Sequence, residues 1–151
     1  MNELTFKRMT PLEIWGADGI QNIIEQCYEE CANKAMGAAK PDLELYEIYQ
    51  NAGMIKALGV FDGKSLVGGV AILFSPMAHF AKRGATVESL FLLPKYRHLG
   101  VGRRLIAEAK ALAKEAGVLG LYITAPKGSR LEAMLIASGV RQTNTVFFEA
   151  V

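Results

Sequence analysis

Strand-forming and helix-forming segments alternate along a chain of 151 residues, and that order predicts a single-domain α/β fold: a mixed β-sheet flanked by helices. Three stretches carry the expectation. Asp62-Gly63-Lys64 separates two apolar runs and reads as the tight turn of a hairpin, because Asp-Gly readily takes the positive φ angles such turns need. Residues 85–94, ATVESLFLLP, read as a central strand stopped by Pro94, which has no N–H to give a ladder. Between residues 102 and 116, Leu105, Ala109, Leu112 and Ala116 recur at steps of four, three and four, the stripe of an amphipathic helix that Gly117 closes.

Residues 3–8 form the first expected strand, with Leu4 and Phe6 on one face, and Thr10-Pro11 is a helix-start signal. A helical region over residues 11–36 follows, interrupted near residues 16–19, and then a shorter helix over 42–51 in which Leu45, Ile48 and Tyr49 share a face. Gly53 ends it. The hairpin strands are residues 54–61 and 65–74, and residues 75–84 read as the connection to the central strand. Beyond the long helix, residues 118–126 read as a strand, Ser129-Arg130-Leu131-Glu132 has the form of a capping box opening a helix that stops at Gly139, and residues 145–151, TVFFEAV, read as a last strand.

A hydrophobic fraction of 51% with 21% charged residues belongs to a folded chain, and at this length roughly two-thirds of the unfolded surface is buried on folding. The net charge of +2 is too small for a nucleic-acid or membrane surface, so any anion site must be local. No apolar run approaches the ~20 residues of a spanning helix, and the start MNELTFKRMT lacks the apolar stretch of a signal peptide, so a cytoplasmic location is expected. Cys27 and Cys31 continue the apolar helical series Ile20, Ile23, Ile24 and read as reduced core thiols. With His79 and His98 far away in sequence, no metal site is expected.

The informative stretch is PKYRHLGVGRRLI, residues 94–106. It puts Arg97, Arg103 and Arg104 around the first turn of a helix, where cations are unfavourable by roughly 0.3–1 kcal/mol each. Gly100 and Gly102 let the backbone turn tightly and approach a ligand, and the unpaired first-turn amides point to the same spot. A bound phosphate would offset the arginines. A Walker loop needs Gly-Lys-Ser/Thr, and a dinucleotide fingerprint needs a third glycine where this chain has Leu105, so both are set aside. The alternative is a plain turn with Arg104 paired to Glu108.

The run LFLLPKYRHLGVGRRLI resembles the GNAT superfamily of acyl-CoA-dependent N-acyltransferases, matching its Leu-x-hydrophobic-x-Pro-x-Tyr-Arg-x-x-Gly-x-Gly pattern almost position by position. The stretch PDLELYEIYQNAGM is similar to small members carried by tailed phages. The resemblance implies one such domain over residues 1–151, with a bulged central strand splayed from its neighbour. It implies acetyl-CoA as cofactor, contacted by Leu90, Phe91 and Leu92 on the strand and by Arg97, His98, Leu99, Gly100, Val101, Gly102 and Arg103 in the loop. The loop amides would hold the pyrophosphate, and the amides of Leu90 and Leu92 the pantetheine arm. That of Leu90 would also stabilise the oxyanion as an amine attacks.

A proton must leave the attacking amine, and Glu88 is the nearest carboxylate, on the same strand face as Thr86, Leu90 and Leu92 until a bulge intervenes. The structural alternative for Glu88 is an ion pair or a rim carboxylate. In one respect the chain departs from the family, since the position of a frequent general-acid tyrosine, four residues before the glycine ending the last helix, holds Leu135. The acid is left to Tyr122, Ser138 or water, and a non-catalytic acyl-CoA-binding module is the alternative function. His79, Trp15 and Tyr46 are candidates for the acceptor pocket, whereas His98 is expected to face solvent. The expected partner is a small-molecule or protein amine, without nucleic acid or membrane, and a homodimer is left open.

Overall fold

The computed structural model describes residues 3–98 and 100–151. Its sheet has five strands, ordered in space as in the chain: β1 (Thr5–Met9), β2 (Ile55–Asp62), β3 (Ser65–Met77), β4 (Lys82–Leu92) and β5 (Leu121–Tyr122). β1 to β4 pair antiparallel and β5 lies parallel to β4, which is the mixed sheet the sequence predicts. Parallel neighbours need a crossover, and α4 (Val101–Glu115) supplies it. The other helices are α1 (Pro11–Trp15), α2 (Ile20–Cys31), α3 (Leu43–Asn51) and α5 (Arg130–Ala137).

The punctuation works as read. Thr10 Oγ1 accepts from the Glu13 N–H while the Glu13 carboxylate accepts from the Thr10 N–H, a complete capping box on α1. In the hairpin Asp62 faces Ser65, and Gly63 takes φ +59°, which a side chain would resist.

Helices cover both faces of the sheet. Leu105, Ala109, Leu112 and Ala113 of α4 join Leu58, Val60, Val70 and Ile72 in the main core. Ile55, Ala57 and Ala71 form a second cluster with Ile14 of α1 and Tyr46 and Tyr49 of α3. Successive strand residues face opposite sides, so Leu58 and Val60 of β2 look away from Ile55 and Ala57. No described helix is long and apolar enough to cross a membrane.

Several boundaries differ from the sequence expectation. The reversal expected over residues 75–84 shrinks to a 3-10 turn at Ala78–Phe80, because β3 runs on to Met77 and β4 starts at Lys82. The strand expected over 118–126 pairs only at Leu121 and Tyr122. Residues 145–151 form no strand, and Val146, Phe147 and Phe148 are exposed; a two-residue β5 offers almost no ladder to pair with. Of the two thiols expected in the core, Cys27 is only half-buried against it and Cys31 is exposed, since it is the last residue of α2 and the stripe ends with the helix. On α3 the inward face belongs to Tyr46 and Tyr49, leaving Leu45 and Ile48 exposed, because the two rings bury more apolar area than the aliphatic pair. At α5 the Ser129 hydroxyl caps the Glu132 N–H, while the Glu132 carboxylate reaches the Gly128 N–H, one residue earlier than a capping box requires.

Candidate active site

The site begins with an irregularity in β4. Ser89 pairs with Ala71 and Val87 with Ile72, so two consecutive residues of β3 face residues two apart on β4, and Glu88 between them has no partner. This is a β-bulge, and it re-aims the side chains that follow. Val87 is buried, Glu88 and Ser89 are both exposed, and Phe91 and Leu92 turn inward. Alternation alone puts Thr86, Glu88, Leu90 and Leu92 on one face. The bulge falls on Glu88 itself and ends that alternation there, because an extra residue shifts the pleat by one.

On the other edge of β4, only Ala85 and Thr86 pair with β5. From Val87 onward that edge has no ladder partner among the described residues. The Leu93 N–H donates to Val67 O on the β3 side at 2.9 Å, and the register from Ser89 to Leu92 is unbroken. Because backbone polar groups alternate sides along a strand, the amides of Leu90 and Leu92 face the open edge. Both groups are backbone, so the apolar side chains leave their function untouched.

At the far end of the opening lies the loop into α4. Gly100 is the N-cap residue with φ +79° and ψ 5°, and no described atom lies within 4 Å of the place its Cβ would occupy. The helix mouth is therefore open at a residue whose conformation favours glycine. Gly102 is different. A Cβ there would meet Met134 Sδ of α5 at 3.6 Å, an ordinary van der Waals contact. The Val101 N–H donates to His98 O at 3.2 Å, and the His98 side chain is exposed as expected. Leu99, also assigned to the cradle from sequence, lies outside the described residues.

The arginines divide their tasks in a way the sequence does not reveal. Arg97 Nε donates to Leu92 O at 2.6 Å, its guanidinium pairs with Glu30 of α2 at 2.8 Å, and it lies over the Phe91 ring at 5.0 Å from the centroid. Arg97 thus ties the loop to β4 and α2, and Glu30 supplies the negative charge first sought in a ligand. Arg104 covers the Phe6 ring at 4.0 Å rather than pairing with Glu108. Arg103 is exposed and makes no ion pair among the described residues. Arg130, which sequence reasoning missed, donates to the Arg97 carbonyl and pins the start of α5 to the loop. The signal was available: a cation at the first position of a helix, the same anomaly that drew attention to residues 94–106.

The bulged carboxylate is held from the opposite side of the cleft. The Tyr46 hydroxyl on α3 donates to Glu88 Oε1 at 2.8 Å, and Trp15 of α1 packs on Tyr46 with ring centroids 5.8 Å apart. Burial, and then the Glu88 charge, hold the Tyr46 phenol well above the usual tyrosine range, so it stays a hydrogen-bond donor at neutral pH. The other sequence candidates stand apart from this group. His79 is exposed in the turn before β4, the Ser138 hydroxyl donates to Met134 O at 2.7 Å, Tyr122 is half-exposed opposite Thr86, and Leu135 is buried in α5.

A carboxylate at the head of an open strand edge, two outward amides along it and a helix N-terminus at its end form one continuous track. The family model described as "Acetyltransferase (GNAT) family" matches residues 17–133. Solved structures with the same fold include an aminoglycoside acetyltransferase from an uncultured soil metagenomic sample, with TM-score 0.76, 17% identity and 99% of each chain covered. A ribosomal-protein-alanine N-acetyltransferase from Brucella melitensis biovar Abortus 2308 gives 0.68 and 16%, again over 99% of each chain. AAC(6')-Iy, solved with the bisubstrate analogue CoA-S-monomethyl-acetylneamine, gives 0.70 and 18% over 99% of each chain. At these identities the likeness establishes the fold alone. A search of curated protein sequences gives no significant match.

Proposed function

Because the chain belongs to the GNAT acetyltransferase family, we propose that it moves an acetyl group from acetyl-CoA to a primary amine by direct attack within a ternary complex. The observation that carries the reading is the bulge at Glu88, which sets a carboxylate at the head of the open β4 edge, in line with the outward amides and the mouth of α4.

The residues present suit such a ligand. The N-cap amide of Gly100 and the first-turn amides of Gly102 and Arg103, with the Arg103 side chain beside them, would hold the pyrophosphate at the positive end of α4, and the Val101 N–H, donated to His98 O, would join them only on leaving that partner. The amides of Leu90 and Leu92 would pair with the pantetheine arm as a strand would, with Phe91 packed beneath. Bound acetyl-CoA supplies an acetyl group activated as a thioester.

Glu88 takes the proton of the incoming ammonium at a carboxylate oxygen, leaving a neutral nitrogen free to attack. The Leu90 N–H donates to the acetyl carbonyl oxygen as charge develops there, fixed in advance by the β3 register. Leu135 provides no phenol in α5, so the proton for the departing sulfur comes from Tyr122 or from water. For the acceptor, the solved relatives include enzymes named for aminoglycosides and for a protein alanine. The fold accommodates both, and the acceptor proposed for this chain goes no further than a primary amine.

Incubation with acetyl-CoA and a panel of amines, followed by thiol release, tests the proposal. We expect turnover that Glu88→Gln lowers at least ~10-fold in kcat, with coenzyme A binding by calorimetry unchanged. Absence of coenzyme A binding overturns the reading altogether. Tight binding without turnover on any amine replaces it with the binding-module alternative that Leu135 motivates.

A further inference from the structure

A bulged residue has no ladder partner, so its side chain depends on other contacts for a fixed direction. For Glu88 that contact comes from forty-two positions away in sequence, where the Tyr46 hydroxyl meets Oε1. The ring behind that hydroxyl is wedged. Tyr46 packs against Ile55, Ala57 and Ala71 of the sheet, and Trp15 leans on it at an interplanar angle of 48°. A rigid aromatic body with its polar tip on one carboxylate oxygen is a device for aiming that carboxylate.

We infer that Tyr46 is a positioning residue for Glu88: by holding Oε1 it presents Oε2 to the acceptor nitrogen. The inference rests on the reading of Glu88 as proton acceptor. The Tyr46 hydroxyl fixes one carboxylate oxygen, so its loss frees the Glu88 rotamer. No competing partner is present among the described residues. Glu13 on α1, Glu47 and Tyr49 on α3 and Tyr122 on β5 make neither a hydrogen bond nor an ion pair with Glu88, and Arg83 on β4 donates to Gly53 O instead.

Steady-state kinetics of the full chain, on an amine that the wild type accepts, test this. In Tyr46→Phe kcat falls roughly 10-fold with the acceptor KM unchanged, while Trp15→Leu gives a smaller fall in kcat in the same direction. Calorimetric coenzyme A binding equal to wild type checks that the variants are folded.

An unchanged kcat in Tyr46→Phe, or a raised KM alone, overturns the inference and reduces Tyr46 to a wall of the pocket. A Glu88→Gln variant that keeps its turnover overturns the reading of Glu88, and the inference with it. The two failures are thus distinguishable.

Discussion

The helices on the two sides of the cleft are built to different standards. α4, which opens onto the proposed cofactor end, buries Leu105, Ile106, Ala109, Leu112 and Ala113. α2 buries Ile23 alone, and α3 buries no residue fully, although Tyr46 and Tyr49 touch the sheet. One end of the track is welded to the core, and the other leans against it. Local opening is cheapest where few apolar contacts must break, so the acceptor side is the softer half and the cradle the stiffer. The difference also separates what must stay fixed from what can vary: a diphosphate needs amides at set positions, whereas an acceptor is recognised by side chains that change at little cost to the fold.

The largest effect should come from attacking the weld. Leu105 is fully buried between α4 and the sheet, and Leu105→Ala should lower stability by about 2–5 kcal/mol, read as a drop in the urea midpoint without a change in slope. If α4 were held no better than α3, the loss would be well under that range, and the contrast between the two halves would disappear.

This contrast also decides what was legible beforehand. The α4 stripe declares itself because a buried helical face imposes a period on Leu105, Ala109 and Leu112, and Gly100 and Gly102 stand out because the loop constrains the backbone directly. Strand β4 and its carboxylate were readable too. The bulge at Glu88 was not, since period two is blind to where a ladder slips until the partner register is known. Nor was the Tyr46 contact, in which no local pattern links α3 to β4, nor the capture of Arg97 by Glu30, after which Arg103 is a cation at the mouth without an ion pair among the described residues. The apolar, β-branched residues 145–151 misled for a related reason. Strand propensity is realised only against an available edge, and β5 offers two residues.

A middle-sized effect tests whether the cradle is set by backbone shape or by bulk. Gly100 has φ +79°, where an L side chain costs roughly 1–2 kcal/mol, and the space around it is open. Gly100→Ala should therefore destabilise by about that amount and weaken coenzyme A binding in calorimetry. Gly102→Ala should leave both nearly unchanged, since its helical backbone accepts a side chain and Met134 stands at contact distance. Equal losses at the two positions would mean that bulk at the mouth, and not the turn, limits binding.

The smallest effect probes the soft side. Ile48 on α3 is an apolar residue at a spacing that reads as inward-facing, yet 61% of it is exposed, because Tyr46 and Tyr49 occupy the face toward the sheet. Ile48→Ala removes little buried area and gains slightly in helix propensity, so the urea midpoint should shift by no more than ~0.5 kcal/mol in either direction. A loss of the size expected for Leu105→Ala would mean that Ile48 is covered in solution and that α3 packs through its aliphatic side as well. The acceptor half would then be as firmly held as the cradle, and the aiming of Glu88 would no longer depend on the wedged Tyr46 ring alone.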